Sequence, residues 1–259
     1  MMRLVLAGVF FCMRKVVASV PEVTFNVLIA GFGGNNMTGP GAIVAERLDN
    51  SCQAMVPGRR VCFSGWNLTM DRSGASEVQR SLEMGQLQRV GVDAIVILGF
   101  ESKAKGLKFE LAGSNQLAES TRRIDASQSN ETIAPPTFDL SRLEAQVALS
   151  TIQTDALFSR DAGSSYCNEA LYRTASTIRK LKVTHPRDPT LLLPFAFLHL
   201  PDPSVAPIDL VAPAIADLAK TMLIDVLHDE TYQDSSKQQS NKEIYNGPLI
   251  IPRPPSSLA

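Results

Sequence analysis

The sequence predicts an α/β fold, a three-layer α/β/α sandwich around a mostly parallel central sheet in a single domain. Three observations carry this expectation. Short apolar runs alternate with segments of helical spacing along most of the chain. The run Asp93–Leu98 (DAIVIL) is continuously apolar, as a strand covered on both faces must be. Hydrophobic residues make up 44% of the 259 positions, enough to bury a substantial core.

The elements follow in order. Val27–Phe32 (VLIAGF) reads as a buried strand that enters a Gly-rich turn, with a helix over Gly41–Leu48. Arg60–Ser64 is a second strand, and Ser73–Arg89 has helical spacing through Val78, Leu82 and Leu87. After Asp93–Leu98, Leu107–Leu111 alternates: Leu107, Phe109 and Leu111 share one face, Lys108 and Glu110 the other. A helix is expected near Leu140–Leu149, then a strand at Ala156–Ser159 and a helix from about Gly163 to Leu181. A strand at Leu191–His199 and a helix at Ile208–Leu227 complete the series. Two stretches break it. Gln116–Phe138 is polar and contains Pro135-Pro136, so it reads as a long surface loop. Tyr232–Ala259 is rich in Ser, Gln and Pro and reads as a flexible tail. The expected organisation is an N-terminal extension (1–22), a folded domain (23–230) and a tail (231–259).

Composition narrows the function classes. Lys and Arg number 25 against 26 Asp and Glu, and this balance without a basic block argues against nucleic-acid binding. No apolar run reaches the ~20 residues that cross a bilayer, so no membrane partner is expected. Cys12, Cys52, Cys62 and Cys167 look too few and too scattered for a disulfide framework or a zinc site. His185, His199 and His228 also lack metal-ligand spacing, so neither metal nor cofactor is expected. Met1–Cys12 resembles the start of a signal peptide, but Arg14 and Lys15 interrupt it. The cytoplasm is the expected location, with secretion the lesser alternative. Asn67-Leu-Thr69 and Asn130-Glu-Thr132 are glycan acceptors only in a eukaryotic secretory pathway.

Three residues stand out for chemistry. Cys167 lies where a strand gives way to a helix, in Asp161-Ala-Gly-Ser-Ser-Tyr-Cys-Asn168. A thiol in the first helical turn meets unsatisfied N–H groups and the positive end of the dipole, which favour the nucleophilic thiolate. Cys167 also shares a helical stripe with Ala170, Leu171, Thr174 and Ile178, and by pattern alone an inert core cysteine is the favoured reading. His199 ends an apolar strand, where sites gather in open α/β sheets; it is either a general base or a structural cap. Glu110 is either a solvated carboxylate or the group that orients His199. Gly31-Phe-Gly-Gly34 is neither a G-x-G-x-x-G nor a P-loop, so a nucleotide-binding role is a third, weaker reading.

Taken together, these segments resemble the pyroglutamyl-peptidase I (pyrrolidone-carboxylate peptidase) family, cysteine exopeptidases that remove an N-terminal pyroglutamyl residue. Asp161 to Asn168, followed by Leu171-Tyr172, is similar to the family's nucleophile motif. Phe195-Ala-Phe-Leu-His-Leu-Pro201 is similar to its histidine motif, and Gly99 through Asn115 matches the spacing of its glutamate segment. The resemblance implies Cys167 as nucleophile, His199 as base and acid, and Glu110 as the orienting carboxylate. It implies Phe32, Phe100 and Asn115 as substrate-binding residues and a peptide as substrate. Assembly stays open, because the family contains monomers and tetramers. The family's second pocket aromatic is missing after Phe32, where Gly33-Gly34-Asn35-Asn36 follows, and Ser102-Lys103 replaces a Gly-Gly pair. These departures leave a second function class, a binding or assembly protein of the same fold that no longer hydrolyses peptides.

Overall fold

The computed structural model describes residues 22–33, 38–118, 120–129, 133–138 and 158–224. The helix expected at Leu140–Leu149, the tail from Tyr232 and the N-terminal segment before Glu22 lie outside them.

In chain order the elements are β1 (Val23–Phe32), α1 (Pro40–Leu48), β2 (Cys52–Val56), β3 (Arg59–Leu68), α2 (Arg72–Glu83), α3 (Gln86–Arg89), β4 (Ala94–Phe100) and β5 (Lys108–Glu110). There follow β6 (Gly113–Ser114), β7 (Ile133–Ala134), β8 (Phe158–Ser159), α4 (Tyr166–Lys180), β9 (Thr184–His185), β10 (Asp188–Leu192), β11 (Phe195–Leu200) and α5 (Ile208–Met222). Seven strands form one sheet in the order β2-β3-β1-β4-β11-β5-β8. Its centre, β3-β1-β4-β11, is parallel throughout, while β2 and β5 each run antiparallel to an inner neighbour.

Strand alternation divides the interior in two. Val27 and Ile29 of β1 face a core completed by Val44 and Leu48 of α1 and Ile215 and Ala219 of α5. Leu28 and Ala30 face the other way, onto Val78 and Leu82 of α2 and Leu171 and Ile178 of α4. Helices therefore cover both faces, and the expected three layers are present. The apolar central strands follow directly, since burial on both faces leaves no room for a polar residue at every second position.

Local chemistry sets the boundaries. The expected helix over Ser73–Arg89 is two helices: Asp71 caps α2 by accepting from Gly74 N–H at 2.9 Å, and Gly85, at φ +66°, breaks the run before α3. The expected strand Leu191–His199 is likewise divided, with β10 pairing β9 in a hairpin and β11 entering the central sheet. Gln116–Phe138 is more than a surface loop. Its β7 pairs β6, and Asn115 holds the turn between by donating to the carbonyls of Asp125, Gln128 and Ser129 at 2.8–3.3 Å.

The reading of Cys52 and Cys62 as unpaired is corrected. They form a disulfide, their Cα atoms 4.1 Å apart and directly opposite in the β2–β3 register. The turn at Pro57-Gly58, with Gly58 at φ +77°, folds the two strands back so that a ten-residue separation becomes a cross-strand contact. Spacing alone hides this, because the β2 strand carries too short a pattern to be recognised. Among the described residues, no helix is long and apolar enough to cross a membrane.

Candidate active site

Cys167 is the second residue of α4. The chain reaches it through Gly163, whose φ of +78° only glycine adopts freely, and Ser165, whose hydroxyl accepts from Cys167 N–H at 3.4 Å. The thiol is buried, 2% exposed, at the positive end of a 15-residue helix.

His199 lies on β11, between β4 and β5, where it pairs with Gly99 on one side and Lys108 on the other. The sulfur and the ring meet over Gly99. A Cβ placed there would lie 3.0 Å from Cys167 Sγ, 3.0 Å from His199 Nε2 and 2.7 Å from His199 Cδ2. Only a residue without a side chain leaves the two groups this room. The other ring nitrogen, Nδ1, is 2.7 Å from Glu110 Oε1. Glu110 is 1% exposed, not solvated, and its Oε2 accepts no hydrogen bond among the described residues.

Burial works against a charged ring at His199, but the hydrogen bonds to Cys167 and Glu110, and their negative charge, outweigh it and push its pKa up to about 9. A pKa raised this far favours the protonated ring at neutral pH, with one nitrogen toward the sulfur and the other on the carboxylate. An imidazolium beside a helix-terminal sulfur is the arrangement that activates a cysteine.

The three residues named as a triad thus converge. The three expected to bind substrate are placed differently. Phe32 ends β1, buried in the core that also holds Cys167. Phe100 ends β4, one residue beyond Gly99, and is partly exposed. Asn115 is wholly buried, and both halves of its amide are occupied: besides the three carbonyls, its Oδ1 accepts from Asp125 N–H at 2.7 Å. It ties the end of β6 to Asp125, Gln128 and Ser129.

Sequence reading missed several supporting residues. Asn168 ties the start of α4 to the segment after Glu110, accepting from Ser114 N–H at 2.7 Å and donating to the carbonyls of Ser114 and Gln116. Glu169, fully buried, receives Arg173 at 2.6 and 2.8 Å and the Ala118 N–H at 3.1 Å. Their i,i+4 spacing was the available signal. Lys108 donates to Glu101 Oε2 at 2.6 Å and stands 3.8 Å from Glu110 Oε1.

Glu101, Glu110 and His199 bring one ligand atom each within 4.8 Å of one another. The Lys108 ammonium already meets both carboxylates, so the chain supplies its own cation there. A cavity of about 460 Å³, lined by Val92, Leu181, His185 and Leu193 among others, lies by the opposite end of β4. Its His185 is held neutral, burial and then the Arg187 charge lowering its pKa to about 4.

No protein-family model matches the chain, and no curated protein sequence matches it. Solved structures do. A pyrrolidone carboxyl peptidase from Thermococcus litoralis matches with a TM-score of 0.59 at 16% identity, over 85% of this chain and 100% of that one. The pyrrolidone carboxyl peptidase of the hyperthermophile Pyrococcus furiosus matches with a TM-score of 0.60 at 16% identity, over 78% and 99%. A mutant of the Pyrococcus protein gives 0.60 at 15%, over 78% and 100%. At such identity the likeness is one of fold: this chain folds as pyrrolidone carboxyl peptidases do.

Proposed function

We propose that the chain is a cysteine exopeptidase that removes an N-terminal pyroglutamyl residue from peptides. The observation that carries the proposal is the convergence of Cys167, His199 and Glu110 over Gly99, in a fold shared with pyrrolidone carboxyl peptidases.

In this reading the Cys167 thiolate attacks the carbonyl carbon that follows the pyroglutamyl ring, forming a carbon–sulfur bond as the carbonyl oxygen takes up negative charge. Backbone N–H groups near the start of α4 would hold that charge. The tetrahedral species collapses, the peptide C–N bond breaks, and His199 Nε2 gives its proton to the departing amine. The now neutral ring takes a proton from water, whose oxygen attacks the thioester. Pyroglutamate leaves, and the proton returns to the Cys167–His199 pair. Glu110 keeps the ring oriented and stabilises its charged form. Neither metal nor cofactor has a step in this scheme.

A binding protein of the same fold, with an inert thiol, is the competing reading, and the 2% exposure of Cys167 favours it. Hydrolysis of a pyroglutamyl fluorogenic amide tests the proposal, with a proline amide as control. The expected result is cleavage of the first substrate alone, lost in Cys167→Ser. Slow alkylation of Cys167 by iodoacetamide at neutral pH, together with no cleavage, would favour the binding protein.

A further inference from the structure

Lys108 and Glu101 extend the Cys167, His199 and Glu110 constellation toward solvent. Lys108 is paired with His199 across the β5–β11 ladder. Its ammonium lies 2.6 Å from Glu101 Oε2 and 3.8 Å from Glu110 Oε1. Glu101 follows β4 directly, its N–H bonded to Leu200 O at 3.0 Å, so it stands beside the end of the histidine strand. The five side chains make one cluster of alternating charge, in which Lys108 bridges the two carboxylates and both carboxylates stand near the His199 ring. It spans from a buried thiol to a carboxylate whose side chain is 36% exposed.

We propose that Lys108 and Glu101 are positioning residues that set how firmly His199 holds its proton: Lys108 draws on the charge of Glu110, and Glu101 draws on Lys108. This rests on the peptidase reading for its consequence in catalysis, though not for its measurement. The signs are opposite for the two residues. A cation close to Glu110 weakens the hold of that carboxylate on the imidazolium, so Lys108 lowers the affinity of His199 for its proton. Glu101, whose carboxylate lies within 4.8 Å of His199 and neutralises Lys108, raises it. Asp161 also acts on Lys108, from the segment before α4. Lys108 stays charged throughout, since its pairing with Glu101 and the nearby negative charges outweigh burial and raise its pKa.

The test is an NMR titration of the His199 ring in the full chain, alongside the pH dependence of Cys167 alkylation. Lys108→Met should move the His199 titration up, and Glu101→Gln should move it down, each by roughly half a pH unit to one unit. Lys108→Arg, which keeps the charge, should restore the original value and so separates a charge effect from a folding defect. Shifts in the same direction, or none in either variant, would overturn the proposal, because a purely structural pair has no reason to split in sign. The ring titrates whether or not the protein cleaves peptides. Absence of hydrolysis with opposite shifts would therefore refute the peptidase reading alone, leaving the charge relay standing.

Discussion

Replacing Gly99 by alanine is a small change with a large expected effect. The added methyl would sit 2.7 Å from His199 Cδ2, where carbon atoms settle at about 3.5–4.0 Å. Relief requires the ring to retreat by about 1 Å. It cannot do so freely, because Nδ1 is bonded to Glu110 at 2.7 Å and the ring packs edge-on against Phe197, centroids 5.3 Å apart. The sulfur, 3.0 Å from the same methyl, is pushed in turn. A misplacement of this size at reacting groups costs on the order of 10²-fold in kcat/KM. Overpacking a buried site costs roughly 1–3 kcal/mol of stability, which for a domain of this size lowers Tm by about 2–12 °C and leaves the fold intact. The assay pairs hydrolysis of the pyroglutamyl amide with the rate of Cys167 alkylation and a thermal melt. Near-normal hydrolysis and alkylation in a folded Gly99→Ala protein would mean that the thiol and imidazole do not meet where the geometry puts them.

Other expectations follow from the same structure. His199, raised to about 9 from an ordinary 6.5, contributes stability that is complete below about pH 6.5 and lost as pH rises through 9; hydrolysis should decline over the same alkaline limb. His185 has the opposite sign: lowered to about 4, it destabilises the fold as pH falls from 6.5 toward 4, and melts of His185→Gln should lack that acid slope. Replacing Cys52 and Cys62 by serine should cost roughly 2–3 kcal/mol, from freeing a loop with a separation of ten residues, measured by urea denaturation. Because a cysteine peptidase is assayed with reductant, which also opens such a bond, the serine variant shows how much activity depends on the staple. Glu169→Ala removes the buried partner of Arg173 and should cost about 3–5 kcal/mol in the same measurement; no loss would show the pair to be dispensable.

The central strands were legible because each is written locally, whereas Cys167, His199 and Glu110 came together as a set only through the family resemblance. Continuous apolar runs mark β1 and β4, and the small residues and hydroxyls around Cys167 announce a capped helix. What escaped depends on pairing between distant segments. The alternation at Lys108 and Glu110 looked like a face turned to water; Glu110 is buried instead, and the charges are satisfied by one another and by His199. The disulfide was invisible without the hairpin that aligns it. The polar Gln116–Phe138 stretch looked like free loop since its order comes from side-chain bonds to Asn115 instead of from apolar burial. Gly99 carries no chemical group at all, and its importance is the volume it leaves empty.

The strand that carries Glu110 is only three residues long and meets β11 through two registered pairs, Leu198 with Phe109 and His199 with Lys108. Fraying of β5 would release the carboxylate from the imidazole, and disturb the edge strand β8 that pairs only with β5, while β3, β1, β4 and β11 stayed in place. Amide exchange at Phe109 and Glu110 should thus run ahead of exchange in β1 and β4. Under the proposed peptidase reading, heat would silence the site before the molecule melts, and loss of hydrolysis would be a poor gauge of unfolding.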